Sequence, residues 1–473
     1  MPENLPARIK NLIPWLIAIA FFMESLDATI LNTAVPVMAK ALGVVPLSMK
    51  SVLSSYTLSL AVFIPISSWM ADRFGTRKVF GSAIAIFTVG SLLCGLATNI
   101  HFLVFCRVLQ GCGGAMMVPV GRLTLVRSFA KSELIRAMSF VAIPALIGPM
   151  LGPLVGGLIV GFFHWRIIFF VNIPIGILGL IWVKKYLPDY HGTKKEPLDF
   201  VGLILFGSGI TLLSYVLEVF GEHTLSGLEI IGLFSISTLF LLTYAVHANS
   251  IKFPVLRIGV LKIRTLRATV LGNFFTRLGA GGMPFLLPLL YQVGLGYSPI
   301  QSGLLIMPQS LSAICTRYWV PRVITHFGFK NLLLGNTVII GCLIMVFATI
   351  GPGTSVWMII FQACVFGSFS SLQYTSMSCL GYADVSEKET GMASTIMSTI
   401  QQMSLSFGVA TASLTTSFFI LDRLHSSPEQ MIGGLHKAFL VMGVITIFSA
   451  IGFVELKPDD GESVSNHHHH PHH

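Results

Sequence analysis

Charge is scarce in this chain. Aspartate, glutamate, lysine and arginine together make up 11% of its residues, less than half of the roughly 25% usual in soluble domains. A surface so poor in charge is not built to face water. No long polar stretch is present that could house a soluble catalytic domain, and the short termini are expected to carry no signalling domain. Glycine loops of the nucleotide-hydrolysing type are missing, so any pumping must draw on an ion gradient. The first apolar run carries acidic residues and lacks a small-residue cleavage site behind it, which makes it a retained helix rather than a signal peptide. The seven cysteines lie in or beside apolar runs without metal-ligand spacing and read as packing residues. Neither a metal nor a cofactor is expected.

What is present is apolar: 53% of the residues. Windows of roughly 18 to 25 apolar residues, long enough to cross a bilayer, recur from end to end. Fourteen are expected, beginning near residues 12, 47, 79, 100, 137, 165, 199, 228, 268, 299, 331, 355, 390 and 435. The fold class is therefore all-α and integral to a membrane. A basic, proline-containing connector at 184–198 and a second at 252–267 divide the windows 6+2+6. The expected domains are 1–188, a six-helix bundle; 189–262, a connector with two extra helices; 263–460, a second six-helix bundle; and a His-rich tail at 461–473. Repeats of this kind in transporters place the substrate path between the halves. Basic residues fall 21 to 5 in favour of one side, which puts both termini in the cytoplasm by the positive-inside rule. The net charge of +10 is mostly this topological signal, with some attraction to anionic lipid, and calls for no nucleic acid. The tail from Asn466 to His473 reads as tag-like or as a loose metal-binding tract and stands outside the mechanism.

Four segments carry chemistry. Gly148, Gly152 and Gly156 recur every four residues in Gly148–Gly157, a bare helical stripe that lets another backbone approach closely in lipid. Pro149 and Pro153 are tolerated there when neighbours satisfy the freed carbonyls; the plainer reading is a generic helix contact. Between helices 2 and 3, Asp72-Arg73-Phe74-Gly75-Thr76-Arg77-Lys78 sets one acid beside three bases in a glycine turn, suited to pairing with a neighbouring helix end or merely to anchoring. In helix 4, Arg107, Gln110, Gly111 and Gly114 share a face, and an arginine at that depth should face the interior. In helix 1, Glu24 and Asp27 are three apart, so both carboxylates can look into one cavity. Two acids in a low-dielectric site repel when both ionise, as a proton carrier requires. The alternative is an Asp27 permanently paired with a base.

Together, and in this order, these segments resemble the signature set of the major facilitator superfamily, and the Gly148–Gly157 stripe resembles the antiporter motif of its export branches. Fourteen helices with an acid in helix 1 look like the drug:proton antiporters of the 14-helix type. The resemblance spans nearly the whole chain. It implies that Asp27 is the protonatable carboxylate, with Arg107 its charge partner or relay. It further implies that Asp72, Arg73, Gly75, Arg77 and Lys78 latch the inside gate, and that Gly148, Pro149, Gly152, Pro153, Gly156 and Gly157 form a leak-tight contact. Two departures stand out. Glu24 adds a second titratable group, and the second-half loop His326–Asn331 lacks the acid and most of the bases.

Three more arginines lie at apparent membrane depth: Arg122, Arg277 and Arg317. Arg277 sits in the broken-helix composition Asn273–Pro284, typical of substrate-lining segments. A deep positive charge fits an anionic substrate, an organic acid or a chelate, at least as well as a cationic drug; pairing with Glu24, Asp27 or carbonyls is the competing account. Gln309, Gln373, Tyr374, Gln401 and Gln402 are further polar candidates for the cavity. The resulting expectation is a monomeric, proton-coupled exporter of small molecules in the bacterial inner membrane, its partners being protons, substrate and lipid. The runner-up is a facilitative or proton-symporting importer of an organic anion on the same fold.

Overall fold

Asn99, Ser226 and Ser427 open three of the long helices in the same way. Each side chain accepts from the backbone N–H three residues on, satisfying donors that a helix start leaves open. Ser226 with Glu229, and Ser427 with Gln430, complete capping boxes. The computed structural model describes residues 5–465 except Glu387, Leu421, Arg423 and Leu424, and leaves the side chains of residues 131, 132, 135 and 139 undescribed. The tail Asn466–His473 lies outside the described residues.

The helices of fourteen residues or more are α1 (Ala7–Ile30), α2 (Lys50–Phe63), α3 (Thr76–Leu96), α4 (Ile100–Ser128), α5 (Lys131–Phe162), α6 (Asn172–Tyr186), α7 (Phe200–Phe220), α8 (Gly227–Ser250), α9 (Arg264–Ala280), α10 (Pro299–Thr316), α11 (Phe329–Val346), α12 (Val356–Tyr382), α13 (Thr390–Phe419) and α14 (Pro428–Phe448). No strand occurs among the described residues. Closed helical hydrogen bonding is what hydrocarbon demands of a spanning backbone.

Among the described residues, eleven helical segments are long and apolar enough to cross a membrane, against fourteen expected windows. The three that fall short contain α9, α10 and α13. Their polarity is the reason: α9 carries Arg264, Arg267, Asn273 and Arg277, and α13 is rich in serine, threonine and glutamine.

The chain divides into two units, residues 1–203 with 298–303, and residues 204–297 with 304–473. In the first, the core gathers Ile13, Ile17, Phe80, Phe87, Met117 and Val120 among its fully buried side chains. In the second, Phe329, Leu333, Leu380 and Phe453 form a corresponding cluster. Many large apolar side chains point outward instead, including Leu228, Ile231 and Val246 on α8, as expected where the solvent is hydrocarbon.

The glycine stripe of α5 seats α1. A Cβ on Gly148 would stand 2.9 Å from the Leu26 nitrogen, and one on Gly152 would stand 2.8 Å from Thr29 Cβ. On Gly156 it would meet the Ile30 carbonyl and, at 2.8 Å, Thr33 Oγ1. Hydroxyls complete the fit. Ser25 Oγ donates to the Pro144 carbonyl at 3.4 Å, Thr29 Oγ1 to the Gly148 carbonyl at 3.4 Å, and Thr33 Oγ1 to the Pro153 carbonyl at 2.8 Å. Three hydroxyls spaced by four on one chain segment thus face three glycines spaced by four on the other. A Cβ on Gly157 would meet a different segment of the same unit, standing 2.5 Å from the Pro299 carbonyl oxygen.

Candidate functional site

Five helices of the first unit deliver polar side chains to one buried point. Arg107 of α4 donates from Nη1 to Asp27 Oδ2 of α1 at 2.8 Å, and the two side chains are 2% and 1% exposed. Gln110 Nε2 and Asn172 Nδ2 both donate to Asp27 Oδ1 at 3.1 Å. The same Asn172 amide reaches Ser91 Oγ of α3 at 3.0 Å. Arg107 donates further to Gln110 Oε1 at 2.9 Å and, from Nε, to the Val52 carbonyl of α2 at 3.3 Å. Its guanidinium lies over the Tyr56 ring, 4.3 Å from the centroid. Asp27 therefore has three donors, and Arg107 three acceptors and an aromatic face. A buried ion pair survives desolvation only when satisfied in this way.

Glu24, one helical turn away, has different surroundings. It is half-buried, and it accepts a hydrogen bond from the Tyr56 hydroxyl to Oε1, at 3.2 Å. Arg107 and Arg122 are within electrostatic reach but form no ion pair with it among the described residues. Arg122 is exposed on α4. The two acids thus divide into one sealed and neutralised, and one open and uncompensated.

The Asp72–Lys78 segment is pinned at both ends. Asp72 Oδ1 accepts from Arg127 Nη2 at the end of α4, 2.6 Å away. Gly75 adopts φ 95 and ψ 144, a conformation open essentially to glycine alone. Beyond the bend, Thr76 N donates to the Tyr190 carbonyl at 2.9 Å and Thr76 Oγ1 to the Pro188 carbonyl at 3.1 Å. Arg77 N donates to Asp189 Oδ1 at 3.2 Å, while its side chain is 3.9 Å from Asp189 Oδ2. Arg73 and Lys78 are exposed. The segment after α6 is therefore a clasp over the turn, and Arg127, Asp189 and Tyr190 are members that the motif alone does not reveal.

In the second unit, α9 ends at Ala280 and a short helix resumes at Met283–Pro288, followed by a π-helical turn at Leu289–Gly294. Arg277 is half-buried, donates from Nε to Asn273 Oδ1 at 2.6 Å and stacks 4.0 Å from the centroid of Tyr374 on α12. Gln373 corrects the expectation of a cavity residue. It is fully buried, accepts from Asn336 Nδ2 at 2.9 Å and donates to Thr337 Oγ1 at 2.8 Å, binding α12 to α11. Adjacent positions on a helix point about 100° apart, so Tyr374 and Gln373 cannot share a surface. Gln309, Gln401 and Gln402 are half-buried. Arg317 lies in the turn after α10.

The counterpart of the Asp72–Lys78 loop in the second unit, His326–Asn331, has no acid, but ion pairs stand close by. Arg264, at the start of α9, donates from Nε and Nη2 to the two carboxylate oxygens of Asp460, at 3.0 and 2.5 Å. Arg267 pairs with Glu455 at 3.0 Å, and Thr265 Oγ1 donates to Asp384 Oδ2 at 3.0 Å. Burial pushes the Asp460 carboxyl up, but its bonds from Arg264 and from the Lys457 backbone outweigh this and leave it below the usual carboxylate range.

Comparison with known proteins bears on the family and the fold. The profile of the Major Facilitator Superfamily matches residues 17–409. The chain is 35% identical over 453 residues to the multidrug resistance protein MdtD of Escherichia fergusonii, covering 95% of this chain and 96% of that one. It is 34% identical over 445 residues to MdtD of Serratia proteamaculans, covering 94% and 93%. Among solved structures, the POT family transporter PepTSo superposes with a TM-score of 0.69 at 15% identity, over 94% of this chain and 97% of that one. The human organic anion transporter MFSD10 does so at 0.61 and 12%, over 94% and 99%. At such identities the likeness is one of fold.

Proposed function

The chain belongs to the major facilitator superfamily, and from that premise we propose that it exports small molecules in exchange for protons, with Glu24 as the carboxylate that binds and releases the proton. It is a multi-pass protein of the bacterial inner membrane, a transporter and not an enzyme. The reading takes fourteen crossings with both termini in the cytoplasm, in line with the 21-to-5 bias of basic residues.

One observation carries the assignment: Glu24 is half-buried with a single neutral hydrogen-bond donor, whereas Asp27 is sealed beneath three. A proton carrier must be reachable and must gain or lose charge without destroying its surroundings. Asp27 meets neither condition, because protonating it would orphan Arg107. With the Asp27–Arg107 pair neutral, Glu24 supplies the net charge of the cluster, and a proton there removes it. Tyr56 joins the two parts, since its hydroxyl holds Glu24 and its ring holds Arg107. Coupling then requires proton and substrate to prefer different states of the protein. The Asp72–Arg127 pair and the 188–192 clasp are the elements assigned to that switch on the cytoplasmic side. Names of relatives as multidrug resistance proteins support export.

The test is reconstitution in liposomes with a trapped pH-sensitive dye and an imposed proton gradient. Tetraphenylphosphonium and ethidium would be added first, then benzoate and succinate. Substrate-dependent proton movement in the wild type, lost in Glu24→Gln while substrate exchange persists, is the expected result. Proton movement unchanged in Glu24→Gln would overturn the assignment of Glu24. Substrate movement in the same direction as the protons would favour a symporting importer.

A further inference from the structure

We infer that Arg277, presented by Tyr374 and Asn273, is a receptor for the carboxylate of an anionic substrate. This deepens the exporter reading, and rests on it, by naming the chemical class of its cargo.

Two arginines within the long helices, Arg107 and Arg277, differ in one respect. Arg107 is neutralised by Asp27. Arg277 has no carboxylate within ion-pair distance among the described residues, and Tyr374 is the titratable side chain in electrostatic contact with it. A charge held among helices without a counter-charge is expensive, and such residues mark functional sites. The neighbours neither neutralise this one nor leave it loose. Asn273 Oδ1 takes Nε at 2.6 Å and the Tyr374 ring covers one face at 4.0 Å, so the plane of the guanidinium is fixed. What this leaves over is the edge formed by Nη1 and Nη2, for which no acceptor is recorded among the described residues.

That edge is a fork of parallel N–H donors, the shape that binds a carboxylate through both oxygens. The surroundings keep it reachable. Arg277 and Tyr374 are both half-buried, unlike Gln373 beside them, which is sealed. Arg277 also sits just before the helix break at Gly281–Gly282, and its own carbonyl lies against Gly408 of α13. The glycine at that crossing brings the two backbones together, which keeps the arginine stem from shifting. A preset, uncompensated fork selects for negative charge. It repels a lipophilic cation.

The purified full-length protein in detergent tests this at equilibrium, without a gradient. Binding of radiolabelled benzoate and succinate is measured against sodium chloride at matched ionic strength, with tetraphenylphosphonium as the cationic comparison. Saturable carboxylate binding is expected in the wild type. It should weaken at least tenfold in Arg277→Lys, which keeps the charge but not the fork, and vanish in Arg277→Gln. Thermal unfolding of each variant shows that it is folded, and Arg277→Lys decides the matter if Arg277→Gln is not. Binding of neither carboxylate to the wild type, or equal binding to the Arg277 variants, would overturn the proposal. Carboxylate binding without proton-linked flux would overturn only the coupling through Glu24.

Discussion

Arg107 and Asp27 meet at 2.8 Å in a place where neither side chain is more than 2% exposed. Removing one partner leaves the other as a buried charge. Arg107→Gln alone, or Asp27→Asn alone, is therefore expected to destabilise by about 3–5 kcal/mol. The pair Asp27→Asn with Arg107→Gln should recover a large part of that loss. A double-mutant cycle from thermal unfolding in detergent measures the coupling, and additive losses would show that the two residues do not act as a pair.

The α1–α5 seam tolerates no side chain on the stripe. Gly156→Val would drive a Cβ into the Ile30 carbonyl and Thr33 Oγ1. Overpacking of this kind costs about 1–3 kcal/mol. Gly232→Val, at a position with open space around it, should be neutral. Thermal unfolding of the two variants side by side checks the contrast.

Gly75→Ala combines backbone strain, roughly 1–3 kcal/mol, with a collision against Asp189. Asp72→Asn keeps the backbone and removes a partly exposed ion pair, for which about 0.2–1 kcal/mol is typical. Gly75→Ala should therefore lower the unfolding temperature clearly and Asp72→Asn barely, while both alter transport rate. Equal stability of the two variants would contradict the clasp.

Asp460 gives the second unit an acid-sensitive contact. Its carboxyl is held below the ordinary value of about 3.9. Its contribution is then fully present above that value and is lost as pH falls through the lowered one. Wild-type stability in detergent should drop as pH falls below about 4 more steeply than that of Asp460→Asn, which should be less stable at pH 7. Parallel curves across that range would count against the pair.

Much of the first unit could be read before any coordinates. The α5 stripe announces itself because glycines spaced by four leave one helical face bare. The pairing of Asp27 with Arg107 was implied by the family resemblance, the residues alone offering only an Asp27 paired with some base. Tyr56 and Asn172 escaped notice since a neutral polar residue in an apolar helix gives no sign of where it points. Gln373 was misplaced for the same reason, its amide being consumed by Asn336 and Thr337. Asp460 was missed because its partner Arg264 stands 196 positions earlier, and nothing local marks either residue. The segments containing α9, α10 and α13 fall short in hydropathy for a physical reason. Helices bearing Arg277 or many hydroxyls give up hydropathy that lipid-facing helices keep.

Gly75 and Gly328 make the same left-handed bend, with φ of 95 and 76. Each is followed by a residue that later chain closes upon: Tyr190 bonds Thr76, and Gly461 packs against Phe329. The order of synthesis separates them. Domains fold from the N-terminal side as the chain emerges, so the first bend can be closed once residue 192 is out, with most of the protein still unmade. The second must wait for residue 461. During all of that interval this end of the later helices waits with its clasp open, and a chain cut just before Asp460 would never leave that condition.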